Sequence, residues 1–236
     1  MSKILEVKKV NKKLWKNNVL KNVSFSVKTW EIYGFLWPNW AWKTTTMKCI
    51  MGLIKEESGS IEVFNTPWLT IDDKKKIGFM PENTYLYKHL TWREFLDFNG
   101  KFFWLSWKKL NKKINELLKR VGLEEAGDKY LHSYSKWMLQ RVGLAQAIIN
   151  DPDLVFLDEP MSGLDPIGRK MVKDLLVELN KSGTTIFFNT HILADVESIC
   201  DRISIIHKWE IIVEWKKVSE IDWTLEDFFI EKVSEK

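Results

Sequence analysis

The chain has 236 residues and a formal net charge of +4, with 45% apolar and 29% charged residues. This composition is that of a globular protein with a sizeable core, and no window reaches the roughly 18 consecutive apolar residues of a membrane-spanning helix. The lysines are dispersed without interleaved arginine and aromatic residues, so the charge predicts solvated surface and no nucleic-acid partner.

The N-terminus and the cysteines indicate a compartment. The first residues, MSKILEVKKV, lack the apolar region of a signal peptide, so we expect a cytoplasmic location. Cys49 and Cys200 stand apart from each other and from other metal-ligating residues. They predict core-filling thiols in a reducing compartment and no disulfide framework.

The first third of the chain has the pattern of strands around a short helix. Alternation over 23–27 predicts a half-buried strand, and the turn KTWE leads into an apolar strand over 32–36, so the two strands are predicted to form a hairpin. Helical spacing follows over 44–53, and Gly59 introduces another strand. Lys43 is therefore expected between a buried strand and a helix start.

The middle of the chain is predicted to be mostly helical. A strand is expected at 75–80, and helical spacing then extends over about 92–150, with interruptions near Gly122 and Gly127.

Beyond Pro152 the pattern returns to alternating strands and helices. The segment LVFLDEP predicts a buried strand that ends in two carboxylates, and it is followed by a helix over 166–181 and a strand, TTIFFNTH, that ends at His191. Strand, helix and strand in this order predict a parallel sheet, whose carboxyl edge is where ligands bind. Lys43, Asp158, Glu159 and His191 are all expected at that edge.

The segment WPNWAWKT has the end of a phosphate-binding loop but not its glycines. Such a loop has the form G-x-x-x-x-G-K-[ST], because backbone N–H groups surround the phosphates, the lysine reaches the β- and γ-phosphates and the hydroxyl binds Mg²⁺. The lysine and threonine are present, and the segment follows a predicted buried strand, as the motif requires. The candidate nucleotide-binding residues here are Trp37, Pro38, Asn39, Trp40, Ala41, Trp42, Lys43, Thr44 and Thr45.

Asp158 and Glu159 supply the carboxylates that this chemistry needs. A carboxylate after an apolar strand holds Mg²⁺ directly or through water, and a second one polarises the attacking water. We assign the first role to Asp158 and the second to Glu159. The alternative is that the pair only caps the following turn.

Six motifs in order resemble those of the ATP-binding subunits of ABC transporters. They are NWAWKTTT in the phosphate loop, GFMPEN at the Q-loop, YSKWMLQR at the signature, LVFLDEP, SGLDP at the D-loop, and NTH with the switch histidine. The resemblance runs from about Ile4 to Trp215. It implies an α/β P-loop NTPase of ABC type, with a mainly parallel sheet core, antiparallel N-terminal strands and a helical subdomain.

The resemblance also implies an organisation and a set of roles. One domain would cover 2–236, with the helical subdomain at about 84–150 and a C-terminal tail at about 216–236. The cofactors would be ATP and Mg²⁺, and two such subunits would pair head to tail around two ATP molecules. The implied site residues are Lys43, Glu159 and His191 for catalysis, Thr44, Asp158 and Glu82 for Mg²⁺, and Ser135 and Trp137 for the γ-phosphate bound to the second subunit.

Two positions depart from the family pattern. Glu82 stands where the family has glutamine, which keeps an oxygen ligand but adds a charge. The adenine-stacking aromatic of the family falls at Leu14, beside Trp15, so base stacking is either weak or made by Trp15.

The third departure is the tryptophan content, 13 residues beside only 11 glycines. A left-handed residue with a side chain costs roughly 1–2 kcal/mol, and an indole adds bulk to that cost. Taken literally, Trp40 and Trp42 would fill the phosphate cradle, and Trp137 would obstruct the second subunit. The literal residues at 37, 40, 42 and 137 therefore predict a protein without ATPase activity.

Tryptophan also stands in place of an expected glycine far along the chain from the nucleotide motifs. Trp30 and Trp209 lie in predicted tight turns, where glycine is favoured. Some bacterial lineages read the codon UGA as glycine and others as tryptophan. We therefore interpret most of the tryptophans as glycine codons, least firmly for Trp15, Trp68 and Trp223.

The residues and the resemblance together predict an ATP-hydrolysing subunit that drives a separate membrane permease. The segments SKWMLQR and IGFMPEN are most similar to exporter-type subunits, so we expect export. The permease is expected to contact 83–95 and to hold the subunit at the inner face of the cell membrane. The alternatives are an inactive scaffold of the same fold and a soluble ATPase of DNA repair or translation.

Overall fold

The computed structural model describes residues 2–14, 17–37, 43–83, 86–103 and 106–235, with the backbone alone for Lys43, Thr44 and Trp215. In this part of the chain the strands are β1 (Lys3–Leu14), β2 (Asn17–Lys28), β3 (Ile32–Leu36), β4 (Ser58–Val63), β5 (Ile77–Met80), β6 (Leu154–Asp158), β7 (Thr185–Asn189), β8 (Arg202–His207) and β9 (Glu210–Lys217). The helices are α1 (Lys43–Ile50), α2 (Ile71–Lys74), α3 (Trp92–Lys101), α4 (Trp107–Arg120), α5 (Lys136–Ala147), α6 (Pro166–Lys181), α7 (Leu193–Ile199) and α8 (Leu225–Ser234).

The strands form two sheets. The first has the order β2-β1-β4 and is antiparallel, and the second has the order β5-β6-β7-β3-β8-β9. In the second sheet β9 alone is antiparallel to its neighbour, and the strands from β5 to β8 run parallel. The predicted mainly parallel core with antiparallel N-terminal strands is therefore confirmed.

The two faces of the second sheet cover separate apolar cores. Tyr33 and Phe156 belong to the face that packs against the first sheet and α1. Leu36 and Leu157 belong to the opposite face, which packs against helices α3 to α8. Because both faces are covered, the central strands are continuous apolar runs instead of alternating ones.

The predicted hairpin between 23–27 and 32–36 is wrong. The first segment belongs to β2, which pairs with β1, whereas the second is β3, which lies between β7 and β8. All five residues of β3 are buried, so this strand belongs in a sheet covered on both faces. The turn at Thr29 and Trp30 carries the chain from one sheet to the other.

The other predicted elements form close to their expected positions. The helix expected at 44–53 is α1, which ends at Ile50, and Gly52 follows with φ +67°. The helical middle of the chain consists of α3, α4 and α5, and the predicted break near Gly122 is a turn in which this glycine has φ +63°. Cys49 and Cys200 are buried and unpaired, as predicted. No helix in the described ranges has the length and hydropathy needed to cross a bilayer.

Candidate nucleotide site

The parallel sheet brings the predicted site residues to one edge. Strands β3, β5, β6 and β7 are parallel, so their carboxyl ends lie on the same side of the sheet. Asp158, the last residue of β6, is in register with Asn189, the last residue of β7. Glu159 and His191 follow directly, so the sheet places three of the predicted residues together.

Asp158 is fully buried, and its carboxylate is oriented by the neighbouring strand. The Asn189 side-chain amide donates a hydrogen bond of 2.8 Å to Asp158 Oδ1. The other side-chain atom of this residue, Asn189 Oδ1, is buried and has no hydrogen-bond partner among the described residues. The end of these two strands therefore presents oxygen atoms of the kind that Mg²⁺ prefers.

Glu159 has an unusual backbone and a fully engaged carboxylate. Its φ is +52°, in the left-handed region that residues with a side chain rarely adopt. Its Oε2 accepts a bond of 2.9 Å from the hydroxyl of Thr190. Its Oε1 accepts the backbone N–H of His191 at 3.0 Å and lies 2.8 Å from Nδ1 of the same histidine. With 1% of its surface exposed, the carboxylate is held by groups that follow β7.

The His191 ring lies partly in solvent, with 41% of its side chain exposed. Its contact with Glu159 fixes Nδ1 against the carboxylate, and the exposed part of the ring faces solvent. The histidine and the glutamate therefore act as one unit at the sheet edge.

The structure describes only part of the loop that would hold the phosphates. Pro38, Asn39, Trp40, Ala41 and Trp42 lie outside the described residues. Beyond them α1 begins at Lys43 and Thr44, with Thr45 and Thr46 buried. A helix that starts after a buried strand directs its first N–H groups to the same sheet edge, which favours an anion there.

Trp37 follows β3 and its side chain enters the core. Its ring packs edge-on against Phe35 at 5.4 Å, and 5% of the residue is exposed. The indole Nε1 is buried without an acceptor among the described residues. Such an unpartnered N–H is unfavourable, because a buried donor normally finds a hydrogen bond.

The signature residues lie at the start of α5. Ser135 is exposed and caps the helix, since its Oγ accepts the N–H of Met138 at 3.4 Å. The ring of Trp137 is 40% exposed and stacks under the guanidinium of Arg141 at 4.2 Å. The indole therefore packs towards the next turn of α5 and stays exposed two residues after Ser135.

Glu82 and Leu14 lie at or just beyond the ends of strands in different sheets. Glu82 is half-buried, two residues beyond β5, so it reaches the same sheet edge as Asp158. Leu14 is the last residue of β1 and packs against the apolar core under the first sheet. Trp15 lies outside the described residues.

Sequence reasoning missed three residues that shape the site. Asn189 orients Asp158, Thr190 holds the Glu159 carboxylate, and the side chain of Gln140 donates a bond of 2.9 Å to the Glu159 carbonyl oxygen. The available signal was polarity: Asn189 and Thr190 come directly after the apolar residues 186–188 of β7, and Gln140 interrupts the buried side of α5.

In the part of the chain that the structure describes, no group of three or more histidine, cysteine, aspartate or glutamate residues could bind a metal by itself. A Mg²⁺ ion at Asp158 would thus depend on hydroxyl, water or phosphate oxygens for its remaining ligands, which is usual for this metal.

Comparison with known proteins agrees with this geometry. Residues 20–162 match the sequence profile of the family described as ABC transporter. An uncharacterised ABC transporter ATP-binding protein of Synechocystis is 47% identical over 82% of this chain, and the chain spans 55% of that relative's length. The bacitracin transport ATP-binding protein BcrA of Bacillus licheniformis is 37% identical over 91% of this chain and 70% of its own length.

A solved structure described as the ATP-binding subunit of an ABC transporter superposes with a TM-score of 0.88 at 28% identity. The superposition covers 97% of this chain and 99% of the other. The fold is therefore that of an ABC-type P-loop NTPase, as the motifs predict.

Proposed function

The chain belongs to the ABC transporter family, as an ATP-binding component, and from that premise we propose that it binds and hydrolyses ATP to drive a separate membrane permease. The observation that carries the proposal is the buried Glu159 carboxylate, held by Thr190 and His191 beside Asp158 at the carboxyl edge of the sheet. A buried acid next to a second acid and a half-exposed histidine matches what phosphoryl transfer to water requires.

In the proposed reaction Lys43 and the N–H groups at the start of α1 bind the β- and γ-phosphates. Thr44 and Asp158, with Glu82 nearby, would hold Mg²⁺, which when bound offsets phosphate charge. Glu159 accepts a hydrogen bond from the attacking water and orients it in line with the γ-phosphate.

His191 has a second part in this proposal. In the structure the His191 ring occupies Oε1 of Glu159, where a water would bind. We infer that the ring turns from the carboxylate to the γ-phosphate when ATP binds, since 41% of its side chain is exposed to solvent. This exchange would open one acceptor position on Glu159 Oε1, which keeps its bond from the His191 backbone N–H, only when a phosphate is present.

The tryptophans decide whether the chain is active as written. We propose that most of them are encoded as glycine, and four observations support this. Trp30 and Trp209 have φ of +63° and +74°, and Trp37 and Trp92 are buried with indole N–H groups that lack an acceptor among the described residues. Four tryptophans thus stand where a smaller residue without a Cβ or an N–H donor in the side chain would be favoured.

An exposed aromatic cluster supports the permease contact. Tyr87, Phe98 and Phe102 are each between 43% and 63% exposed, and their rings meet edge to face at 5.7 Å and 5.2 Å. The cluster adjoins the segment 83–95 that follows the Q-loop position. A contiguous apolar surface of this kind fits a partner helix with an apolar face, and its place would put the subunit on the cytoplasmic side of the membrane.

Export is the proposed direction, because the segments SKWMLQR and IGFMPEN are most similar to exporter-type subunits. The transported compound is chosen by the permease. An adjacent reading frame with about six apolar spans would support this proposal, whereas its absence would favour a soluble ATPase.

The second candidate is a scaffold that keeps the fold and the permease contact without binding ATP. It is favoured if Trp37 and Trp137 are genuine, since an exposed Trp137 indole lies in the signature segment, two residues after Ser135. UGG codons at 37, 40 and 42 would rule out recoding.

Titration calorimetry separates the two candidates. It compares the chain as written with a four-glycine variant that carries Trp37→Gly, Trp40→Gly, Trp42→Gly and Trp137→Gly. We expect Mg-ATP to bind the four-glycine variant and not the written sequence. Hydrolysis by the variant, and its loss on adding Glu159→Gln, would complete the assignment. Failure of both proteins to bind Mg-ATP would overturn it.

A further inference from the structure

Helix α5 reaches Glu159 through Gln140. We propose that Gln140 is a positioning residue that holds Glu159 in its left-handed conformation and couples it to the start of the same helix, where Ser135 lies. This inference rests on the proposed function of Glu159 in ATP hydrolysis, but it concerns a hydrogen bond within the chain itself.

The Glu159 backbone needs support to stay where it is. A φ of +52° is rare for a residue with a side chain, and such conformations persist only where the surrounding bonds enforce them. Without that support the residue would relax towards an ordinary φ, and its side chain would leave Thr190 and His191. The position of the carboxylate therefore depends on the hydrogen bonds that hold the Glu159 main chain.

Hydrogen bonds from two sides hold the Glu159 main chain. On the side of β7, the Glu159 N–H donates to the Asn189 carbonyl oxygen at 2.8 Å. On the side of α5, the Gln140 amide donates to the Glu159 carbonyl oxygen at 2.9 Å, beside a bond of 3.1 Å from the Ser162 N–H to the same oxygen. Gln140 is 6% exposed, so water does not compete effectively for its bond.

The same helix carries the exposed signature serine. Ser135 caps α5, and Gln140 follows five residues later, about 7.5 Å along the helix axis at ~1.5 Å per residue. Because α5 is a continuous helix of twelve residues capped by Ser135, we expect Ser135 and Gln140 to move together. A ligand that shifts Ser135 would consequently shift the Gln140 amide and the carbonyl that it holds.

This arrangement makes Glu159 sensitive to the opposite nucleotide. In the proposed pair of subunits, Ser135 meets the γ-phosphate bound to the second subunit. Gln140 would then transmit the docking of that phosphate to the Glu159 of its own subunit. Because coupling between two sites is reciprocal, the state of Glu159 would also influence how tightly Ser135 binds.

Hydrogen exchange on the chain without added nucleotide tests directly whether the Gln140 bond holds Glu159 in place. Gln140→Leu removes the donor with little change in volume, and we expect the amides of Ser162 and His191 to exchange roughly tenfold faster. The matched control is Gln146→Leu, on the same helix, where the side-chain amide donates to Asn99 Oδ1 at 3.1 Å instead of to the site. The control is expected to leave both amides unchanged.

Steady-state hydrolysis by the four-glycine variant supplies the second readout. With Gln140→Leu we expect kcat to fall about tenfold at an unchanged KM for Mg-ATP, because the carboxylate is misplaced while the phosphate loop is intact. Equal exchange in wild type and Gln140→Leu, equal loosening by Gln146→Leu, or an unchanged kcat would each overturn the inference. Retained hydrolysis in Glu159→Gln would instead overturn the proposed function, and the exchange result would still decide the role of Gln140.

Discussion

At the scale of single residues, Trp30 and Trp209 adopt backbone conformations that favour glycine. Their φ angles of +63° and +74° lie in the left-handed region, and the Trp30 side chain is 60% exposed. An exposed indole recovers little burial energy to offset the strain of its backbone. The Trp30 turn precedes β3 and lies at the opposite end of that strand from the candidate nucleotide site, so nucleotide binding does not explain its conformation.

Trp30→Gly should therefore stabilise the chain. We expect the free energy of unfolding to rise by about 1 kcal/mol, because the left-handed strain disappears and the added freedom of the unfolded chain cancels only part of that gain. Urea unfolding measures the difference. The control is Trp68→Gly, since Trp68 is 72% exposed and does not have a left-handed φ; this substitution should not stabilise. Equal effects of the two substitutions would contradict the strain argument.

The two cysteines allow a test of burial at the residue scale. Burial raises the pKa of the Cys49 thiol to about 11 and raises the pKa of the Cys200 thiol well above its usual value. Since only the thiolate reacts, the native chain at pH 8 should be alkylated by iodoacetamide at least tenfold more slowly than the chain in guanidinium. Mass spectrometry of the two samples measures the rates, and comparable rates would show that the thiols are accessible.

At the scale of elements, periodicity predicted most helices and strands but not which strands pair. The segments 23–27 and 32–36 are joined by a short turn, which usually indicates a hairpin. Every residue of β3 is buried, whereas β2 is only partly buried. This difference comes from the tertiary structure, because β3 lies between β7 and β8 and β2 belongs to the other sheet. A local pattern does not contain that information, because pairing partners come from distant parts of the chain.

Helix α3 offers a prediction about capping. Thr91 caps it through a reciprocal box with Glu94, in which the Thr91 Oγ1 accepts the Glu94 N–H at 3.2 Å and the Glu94 carboxylate accepts the Thr91 N–H at 2.8 Å. Thr91→Ala should lower the free energy of unfolding by about 1 kcal/mol in urea titrations at pH 7. Ser106→Ala is the control, because Ser106 occupies the same position in α4 without a side-chain capping bond.

The capping effect should also depend on pH. The backbone N–H and the hydroxyl of Thr91 lower the pKa of Glu94. A carboxylate with a lowered pKa stabilises the fold above its unfolded pKa and loses that contribution as the pH falls through the folded value. The difference between wild type and Thr91→Ala should therefore shrink in acid. A wild-type-to-variant difference in the free energy of unfolding that stays constant down to pH 3 would contradict the Thr91–Glu94 capping box. An equally large effect of Ser106→Ala would contradict it as well.

At the scale of the whole molecule, the sequence predicted which residues meet at the sheet edge but not how they are held. The chain order of strands places Asp158, Glu159 and His191 together, because parallel strands end on one side. The left-handed Glu159 and its bond from Gln140 result from packing α5 against that edge. Such contacts join residues far apart in sequence, so spacing and composition carry little trace of them.

The proposed pairing of two subunits gives the last prediction. In the four-glycine variant, adding Glu159→Gln should block hydrolysis while leaving Lys43 and Ser135 able to bind the two sides of each ATP. Bound ATP would then persist between two copies, and light scattering after gel filtration in Mg-ATP should report about twice the mass of one chain. Lys43→Ala in the same background removes a phosphate contact and should leave the chain monomeric. A monomer that retains bound ATP at micromolar concentrations would contradict self-pairing and point to a different second subunit.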